Sequence, residues 1–440
     1  LAHARTNAER PSMIVLRSHI GYGAPHLQDS PKAHGSPLGE DEVRATKAGY
    51  GWPEDAQFLV PEGVLAHTRQ AVERGKRWED EWQEAFSRYR EAHPDLAARF
   101  ETAQTGALPA NWDADLKPFD AGSDPVATRA VGHKVLARLG ARIPWLMGGA
   151  ADLASSTKTV IEDGGDFEKG HHEGRNLHWG IREHVMCAAS SGMALHGGLR
   201  PFASTFFIFT DYARPAIRLA ALMELPVIYV MTHDSIGLGQ DGPTHQPIEQ
   251  LASFRAMPNM CVIRPADANE TVHAWRAALT RRDGPTMLVL TRQKLPVLDH
   301  TEPGAAQGVA QGAYVLSPER GERPDVILLA TGSEVHLTLA AQDRLSQAHG
   351  IDARVVSMPS WELFREQSDD YKDSVLPSEV TARLAVEAAS PQGWCEWVGS
   401  GGRVLGITRF GASAPAGELF RHFGFTVENI IEHARAMLGR

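Results

Sequence analysis

From Trp145 onward the chain repeats one pattern, a short apolar run of strand length followed by a longer run with helical spacing. The strand-like runs are Trp145 to Met147, Pro226 to Thr232 (PVIYVMT) and Thr286 to Thr291 (TMLVLT), and the helix-like runs are Glu183 to Leu195 and Asn269 to Ala278. Alternation of this kind predicts a parallel sheet covered by helices. A turn near Gly312 opens a further block. There Asp325 to Ala330 (DVILLA) leads through Gly332 and Ser333 into a helical run from Val335, with Ser333 expected to cap that helix and an anion-binding helix start as the other reading of the same segment. Ala353 to Ser357 (ARVVS) and a helix from Thr426 to Leu438 complete the block.

Upstream, Leu1 to Ala8 reads as the end of a helix, and the run MIVL within Pro11 to Leu16 as a buried strand. That strand would feed a glycine-rich loop running to HGSPLG at His34. Glu62 to Phe100 has the composition of long surface helices, and Gly106 to Asp124 reads as a linker. The expected class is α/β, in successive three-layer α/β/α domains with mostly parallel sheets.

A chain of 440 residues is too long for one ordinary core and suggests two or three domains. Cys187, Cys261 and Cys395 lie far apart with no CxxC pair, which argues against a disulfide framework or a structural zinc site and makes a reducing cytoplasm the expected location. No apolar run reaches the roughly 18 to 20 residues that cross a bilayer, so no membrane association is expected. A net charge of -10 argues against nucleic acid as the main partner. It leaves room for small phosphorylated substrates, which need only a few local Arg, His and hydroxyl groups.

The most specific stretch is Thr232 to Pro247, THDSIGLGQDGPTHQP, which sets two histidines and two aspartates around three glycines directly after an apolar strand. Ligands of open α/β sheets collect at such strand ends. Taken singly, each histidine could equally be a loop residue. Gly237, Gly239 and Gly242 also spell GxGxxG, but that dinucleotide fingerprint needs its last glycine to open a helix, and Pro243 continues a loop instead. Phe206, Phe209 and Tyr212 recur at spacings of three, one stripe if the segment is helical. An arginine taken alone, such as Arg129 or Arg292, is more often a solvated surface charge.

The string THDSIGLGQDGPTHQP resembles the transketolase signature, with Gln240 where that family has glutamate. Similarity continues through GGAADLASST from Gly148, GIREH from Gly180, STFFIFTDYAR from Ser204, TRQKL from Thr291 and RFGASAP from Arg409. The resemblance implies a thiamine-diphosphate-binding fold followed by a transketolase C-terminal domain. Residues 1–105 would be the remnant of the diphosphate-binding domain with linker helices, 106–311 the pyrimidine-binding domain and 312–440 the C-terminal domain. The implied activity is transfer of a two-carbon ketol unit from a ketose phosphate such as xylulose 5-phosphate to an aldose phosphate such as ribose 5-phosphate or erythrose 4-phosphate, in the pentose phosphate pathway. Thiamine diphosphate, as its ylid, would be the cofactor.

Roles carry over by motif position. Glu183 in GIREH is implied as the carboxyl held against a pyrimidine ring nitrogen of the cofactor, a role that burial favours; otherwise it is an acid at a helix N-terminus. Phe206, Phe209 and Tyr212 match the aromatics around the pyrimidine ring, and Asp152 a cofactor-pocket and subunit-contact residue. Arg129, Ser156, His233 and Arg292 match phosphate contacts, and Asp241 the reader of hydroxyl configuration. His34 and His245 match histidines that flank the reacting carbons, where an unperturbed pKa of about 6.5 suits proton transfer.

The family binds the diphosphate through a divalent metal, Mg2+ or Ca2+, on a GDG segment and a later asparagine. No GDG occurs in this sequence, and DGG from Asp163 and GSGG from Gly399 read as loops. The metal ligands are expected upstream of the first matched residue, and Leu1 is expected to mark a cut, a shortened chain or part of a longer enzyme. Family members are homodimers with active sites between subunits; the same is expected here, with the apolar stretch Phe202 to Tyr212 at the interface. The competing readings are dihydroxyacetone synthase-like ketol transfer and a binding module without chemistry.

Overall fold

A computed structural model describes residues 1–299 and 304–440. They form two compact units, Leu1–Ala92 and His93–Arg440.

The first unit is helical, with helices Ala2–Thr6, Glu40–Gly49 and Val64–Ala92. The 29-residue helix Val64–Ala92 is free of proline and rich in Ala, Glu, Arg and Gln, all good helix formers, as the sequence predicts. It stops just before His93 and Pro94, because a residue preceding proline is pushed out of the helical region. The MIVL segment is not a strand: Met13, Ile14, Val15 and Leu16 are exposed and belong to no helix or strand. A strand needs a neighbour for its amides and carbonyls, and no strand occurs among the described residues of this unit.

The second unit contains two sheets. Strands β1 (Leu146–Ala150), β2 (Asn176–His178), β3 (Arg200–Phe206), β4 (Ile228–Thr232), β5 (Cys261–Ile263) and β6 (Thr286–Leu290) form a parallel sheet in the order β2-β1-β3-β4-β6-β5. Strands β7 (Tyr314–Ser317), β8 (Val326–Ala330), β9 (Ala353–Ser357), β10 (Arg383–Val386) and β11 (Arg403–Leu405) form the other, in the order β11-β10-β8-β9-β7. Only β7 runs antiparallel there. This is the α/β class, and the mostly parallel sheets, that the alternating pattern predicts.

Strand periodicity sorts the core. In β4, Ile228 and Val230 join Val135 and Leu139 of helix Thr128–Arg142 and Trp275 of helix Ala268–Thr280. Tyr229 and Met231 face the other way, toward Met186 of helix Glu183–His196 and Ile217 of helix Thr210–Leu222. A sheet covered on both sides has no polar face, which is why β1, β3, β4 and β6 are buried throughout. Gly149 lets β1 and β2 approach: a Cβ there would lie 1.8 Å from the Leu177 carbonyl oxygen.

Three sequence expectations need correction. Phe206, Phe209 and Tyr212 do not share a helix; they sit at the end of β3, in the 3-10 turn Phe207–Phe209 and in the first turn of the next helix. Phe202 and Phe207 are core residues, so Phe202 to Tyr212 does not present one apolar face. Ser333 makes no helix cap, because it is buried and accepts from Arg264 while donating to Glu334.

Arg264 is the centre of that arrangement. Fully buried after β5, it donates to Asp234 at 2.7 Å from one side and to Glu334 and the Thr331 carbonyl from the other. Burial opposes its charge, and Glu334 and Asp234 more than offset this, holding its pKa above the ordinary arginine value. Replacing Arg264 by Met leaves two buried carboxylates without their cation. Arg264→Met is expected to cost about 3–5 kcal/mol, read as a lower midpoint in urea denaturation; an unchanged midpoint would show that the triad does not stabilise the fold.

Candidate functional site

All strands of the six-stranded sheet point the same way, so their C-terminal ends deliver side chains to one edge. Asp152 and Arg292 each lie two residues past the ends of β1 and β6, Phe206 ends β3 and His233 directly follows β4. Asp152 and His233 both hold positive φ, 59° and 63°, where the chain turns sharply off its strand.

Beside β1 lies a cleft of about 580 Å³ whose walls include Asp152, Ile181, Glu183, His184, Phe209 and Tyr212. Glu183 is the first residue of helix Glu183–His196 and only 7% exposed, yet its carboxylate has no hydrogen bond or ion pair among the described residues. A carboxylate that lines a cleft and has no protein donor is free to accept from a group bound there. Phe209 links the cleft to the strand end: its ring lies 5.6 Å from Phe206 and 6.2 Å from Tyr212. Tyr212 is largely exposed. Acid, aromatic walls and Asp152 together fit a flat, nitrogen-containing ring that donates to Glu183.

Next to it is a cluster of positive charge. Arg129 donates through Nη1 to the Ser156 carbonyl at 2.6 Å and approaches His233 Nε2 at 3.4 Å. The contact is thus with the backbone of Ser156. Arginine only donates, so Nε2 accepts and Nδ1–H is assigned as donor to Thr232 Oγ1 at 2.9 Å. The His233 ring lies against Phe206, with centroids 3.7 Å apart. Burial, then Arg129, Arg292 and His245, push its pKa down to about 3. Neither Arg129 nor Arg292 has a carboxylate partner among the described residues, and burial together with Arg292 lowers the pKa of Arg129. Uncompensated cations of this kind make a receptor for an anion.

His245 bridges the two regions, with ring centroids 5.4 Å from Phe209 and 6.1 Å from Phe206 and Nδ1 2.9 Å from Thr244 Oγ1. Asp241 is exposed on the same loop, without a hydrogen-bond or ion-pair partner among the described residues. The neighbouring Gln240 is exposed too, its backbone carbonyl accepting from Ser413 Oγ. His34 lies in the first unit, exposed at the end of the short 3-10 turn Pro31–Ala33. Gly242 opens no helix, so the GxGxxG match is not a dinucleotide fingerprint. Among the described residues no group of three or more His, Cys, Asp or Glu could hold a metal ion. Sequence reasoning did not single out Thr232, which sets the His233 tautomer, or Ile181 and His184 in the cleft wall. The two wall residues lie inside GIREH, and Thr232 opens the signature string, so the motifs themselves held the signal.

Three family models match the chain: the transketolase thiamine diphosphate binding domain over residues 1–109, the transketolase pyrimidine binding domain over 124–297 and the transketolase-like C-terminal domain over 312–426. The transketolase of Geobacillus stearothermophilus is 52% identical over 441 residues, covering 100% of this chain and 66% of that protein. The chloroplastic transketolase of Craterostigma plantagineum is 47% identical, covering 100% of this chain and 84% of that one. Among solved structures, transketolase from Leishmania mexicana aligns with a TM-score of 0.92 at 40% identity, covering 100% of this chain and 64% of its own. A Pichia stipitis transketolase in complex with sedoheptulose-7-phosphate aligns with a TM-score of 0.91 at 39% identity, covering 98% and 63%. The chain therefore spans just under two thirds of the length of the Geobacillus relative and of both solved structures.

The His233 environment predicts a pH response. Its folded pKa lies below the unfolded value, so on acidification the unfolded chain takes up the proton first. The stability that goes with neutral His233 is complete above about pH 6.5 and is lost as pH falls toward about 3. Nitrogen-15 NMR of the imidazoles is expected to show His233 neutral at pH 5; an imidazolium spectrum there would contradict the arrangement described.

Proposed function

The chain belongs to the transketolase family, and from that premise we propose that it carries the pyrimidine half of a thiamine-diphosphate site and the sugar-phosphate end of a ketol-transfer site. The reaction would move a two-carbon ketol unit from a ketose phosphate of the xylulose 5-phosphate type to an aldose phosphate of the ribose 5-phosphate or erythrose 4-phosphate type. The observation that carries this reading is Glu183, a largely buried residue whose carboxylate lines the aromatic cleft without a partner among the described residues.

When bound, thiamine diphosphate supplies the electron sink for breaking and making the bond next to a carbonyl. Glu183 would hold a proton between its carboxyl and a pyrimidine ring nitrogen, while Phe206, Phe209 and Tyr212 fix the ring by face and edge contacts. Arg129, Arg292 and neutral His233 would bind the sugar's phosphate with Ser156 beside them, and Asp241 would read a sugar hydroxyl. His245 and His34 would carry protons to and from the oxygens of the reacting carbons. Asp152 would help to close the ring pocket.

The same reading extends to the metal, the assembly and the domains. A divalent cation, Mg2+ or Ca2+, would accompany the diphosphate, and no group of the described residues forms a site for it. A homodimer with active sites between subunits is supported by apolar residues left exposed on two packed helices, Val185 on one and Tyr212, Leu219 and Leu222 on the other. The domain division proposed is 1–105, 106–311 and 312–440, with the last break falling just before β7 opens the second sheet. No helix among the described residues is long and apolar enough to cross a membrane; a cytoplasmic place in the pentose phosphate pathway is part of this proposal.

The test is ketol transfer from xylulose 5-phosphate to ribose 5-phosphate by the protein that carries this chain, with thiamine diphosphate and magnesium. Glu183→Gln is expected to lower kcat by about 100-fold or more, and Arg292→Ala to raise the KM of phosphorylated acceptors with a smaller change in kcat. Undiminished transfer by the E183Q variant would sink the assignment of the acid. Formaldehyde as a better acceptor than ribose 5-phosphate would favour the dihydroxyacetone synthase type of reaction.

A further inference from the structure

The opposite end of β3 carries a second pair of arginines. Arg200 begins the strand that Phe206 ends, and six steps of about 3.3 Å put roughly 20 Å between their backbones. Arg200 is 8% exposed. Its Nη2 donates to the carbonyls of Ala278 and Arg281 at 2.5 and 2.6 Å, closing the C-terminal end of helix Ala268–Thr280, an end that favours a cation. Capping explains that one nitrogen. Nε is buried with no acceptor, Nη1 has none among the described residues, and no carboxylate pairs with the group there.

Arg282 stands nearby, donating to the Thr105 carbonyl. Arg200 and Arg282 line a cavity of about 180 Å³ with Gln104, Trp145, Gly197 and Gly198, and no Asp or Glu is in its wall. Burial and the charge of Arg282 hold the pKa of Arg200 down to about 10, which leaves Arg200 cationic at neutral pH. Two neighbouring cations, one of them desolvated, repel each other until an anion enters.

We propose that this cavity binds a compact oxyanion of the phosphate or sulfate class, held by Arg200 and Arg282 and separate from the residues proposed to bind the substrate's phosphate. Its volume is that of roughly six waters at about 30 Å³ each. That admits one tetrahedral oxyanion and falls short of the roughly 300–1,000 Å³ that encloses larger organic ligands. The fixed planar donors of a guanidinium suit such an anion.

The experiment is calorimetric titration of the whole chain with inorganic phosphate at constant ionic strength. Two sites are expected, of which Arg129→Ala combined with Arg292→Ala removes one. In that background Arg282→Ala is expected to weaken the remaining site about tenfold, the scale of one charge-assisted hydrogen bond, and Arg200→Met to abolish it. Because Arg200→Met also removes a helix cap, the exposed Arg282 position carries the decision. No residual site after removal of Arg129 and Arg292, or a residual site indifferent to Arg282→Ala, overturns the proposal. Displacement of phosphate from the residual site by ribose 5-phosphate would overturn its restriction to a compact anion.

Discussion

The burial of Arg264 is the constraint on which the second unit depends. A guanidinium removed from water must find acceptors in fixed directions, and here they come from two sheets: Asp234 from the loop after β4, Glu334 and Thr331 from the end of β8. Arg255 and Glu387 repeat the device with a paired set of contacts at 2.8 Å, and Glu387 also accepts from Thr331 and Trp394. None of these groups can move alone without leaving a buried charge or donor unpaired. The two sheets therefore fix the loop between them, the one that carries His233, Asp241 and His245.

This gives the second sheet a part in the site without a reacting residue of its own. Asp234 adjoins His233, so the anchor of the loop sits next to the imidazole of the cation cluster. Farther along, Gln246 donates to the carbonyls of Gly239 and Ala412, and Ser413 to that of Gln240. The RFGASAP segment thus braces the turn between Asp241 and His245. Its likeness to a family motif has a mechanical reason: it holds the shape of a loop whose exposed side chains have no other support.

The fold was readable where local pattern and tertiary context agree. Unbroken apolar runs such as Val326–Ala330 and Thr286–Leu290 became buried strands, and long proline-free runs became helices. Reading failed where context decides. MIVL has a strand's composition but no neighbouring strand, and Ser333 has a cap's position but a buried arginine within reach. Spacing alone could not show that Phe206 to Tyr212 spans a strand end, a turn and a helix. In the site, motif position brought Asp152, Glu183, Phe209 and Tyr212 to one cleft and Arg129, His233 and Arg292 to one charge cluster. What it could not convey was how the parts are held, since Asp234 and Arg264 act through partners distant in sequence.

The order of the first sheet has a metric consequence. β1, β3, β4 and β6 are consecutive neighbours, and their ends carry in turn Asp152, Phe206, His233 and the approach to Arg292. Strands repeat at about 4.8 Å, so three steps put about 14 Å between the chain leaving β1 and the chain leaving β6, with Phe206 and His233 in contact on the two strands between them. The sheet works as a ruler graduated by its own hydrogen bonds. Side chains along that edge can change what each mark presents, but the interval between the marks belongs to the backbone.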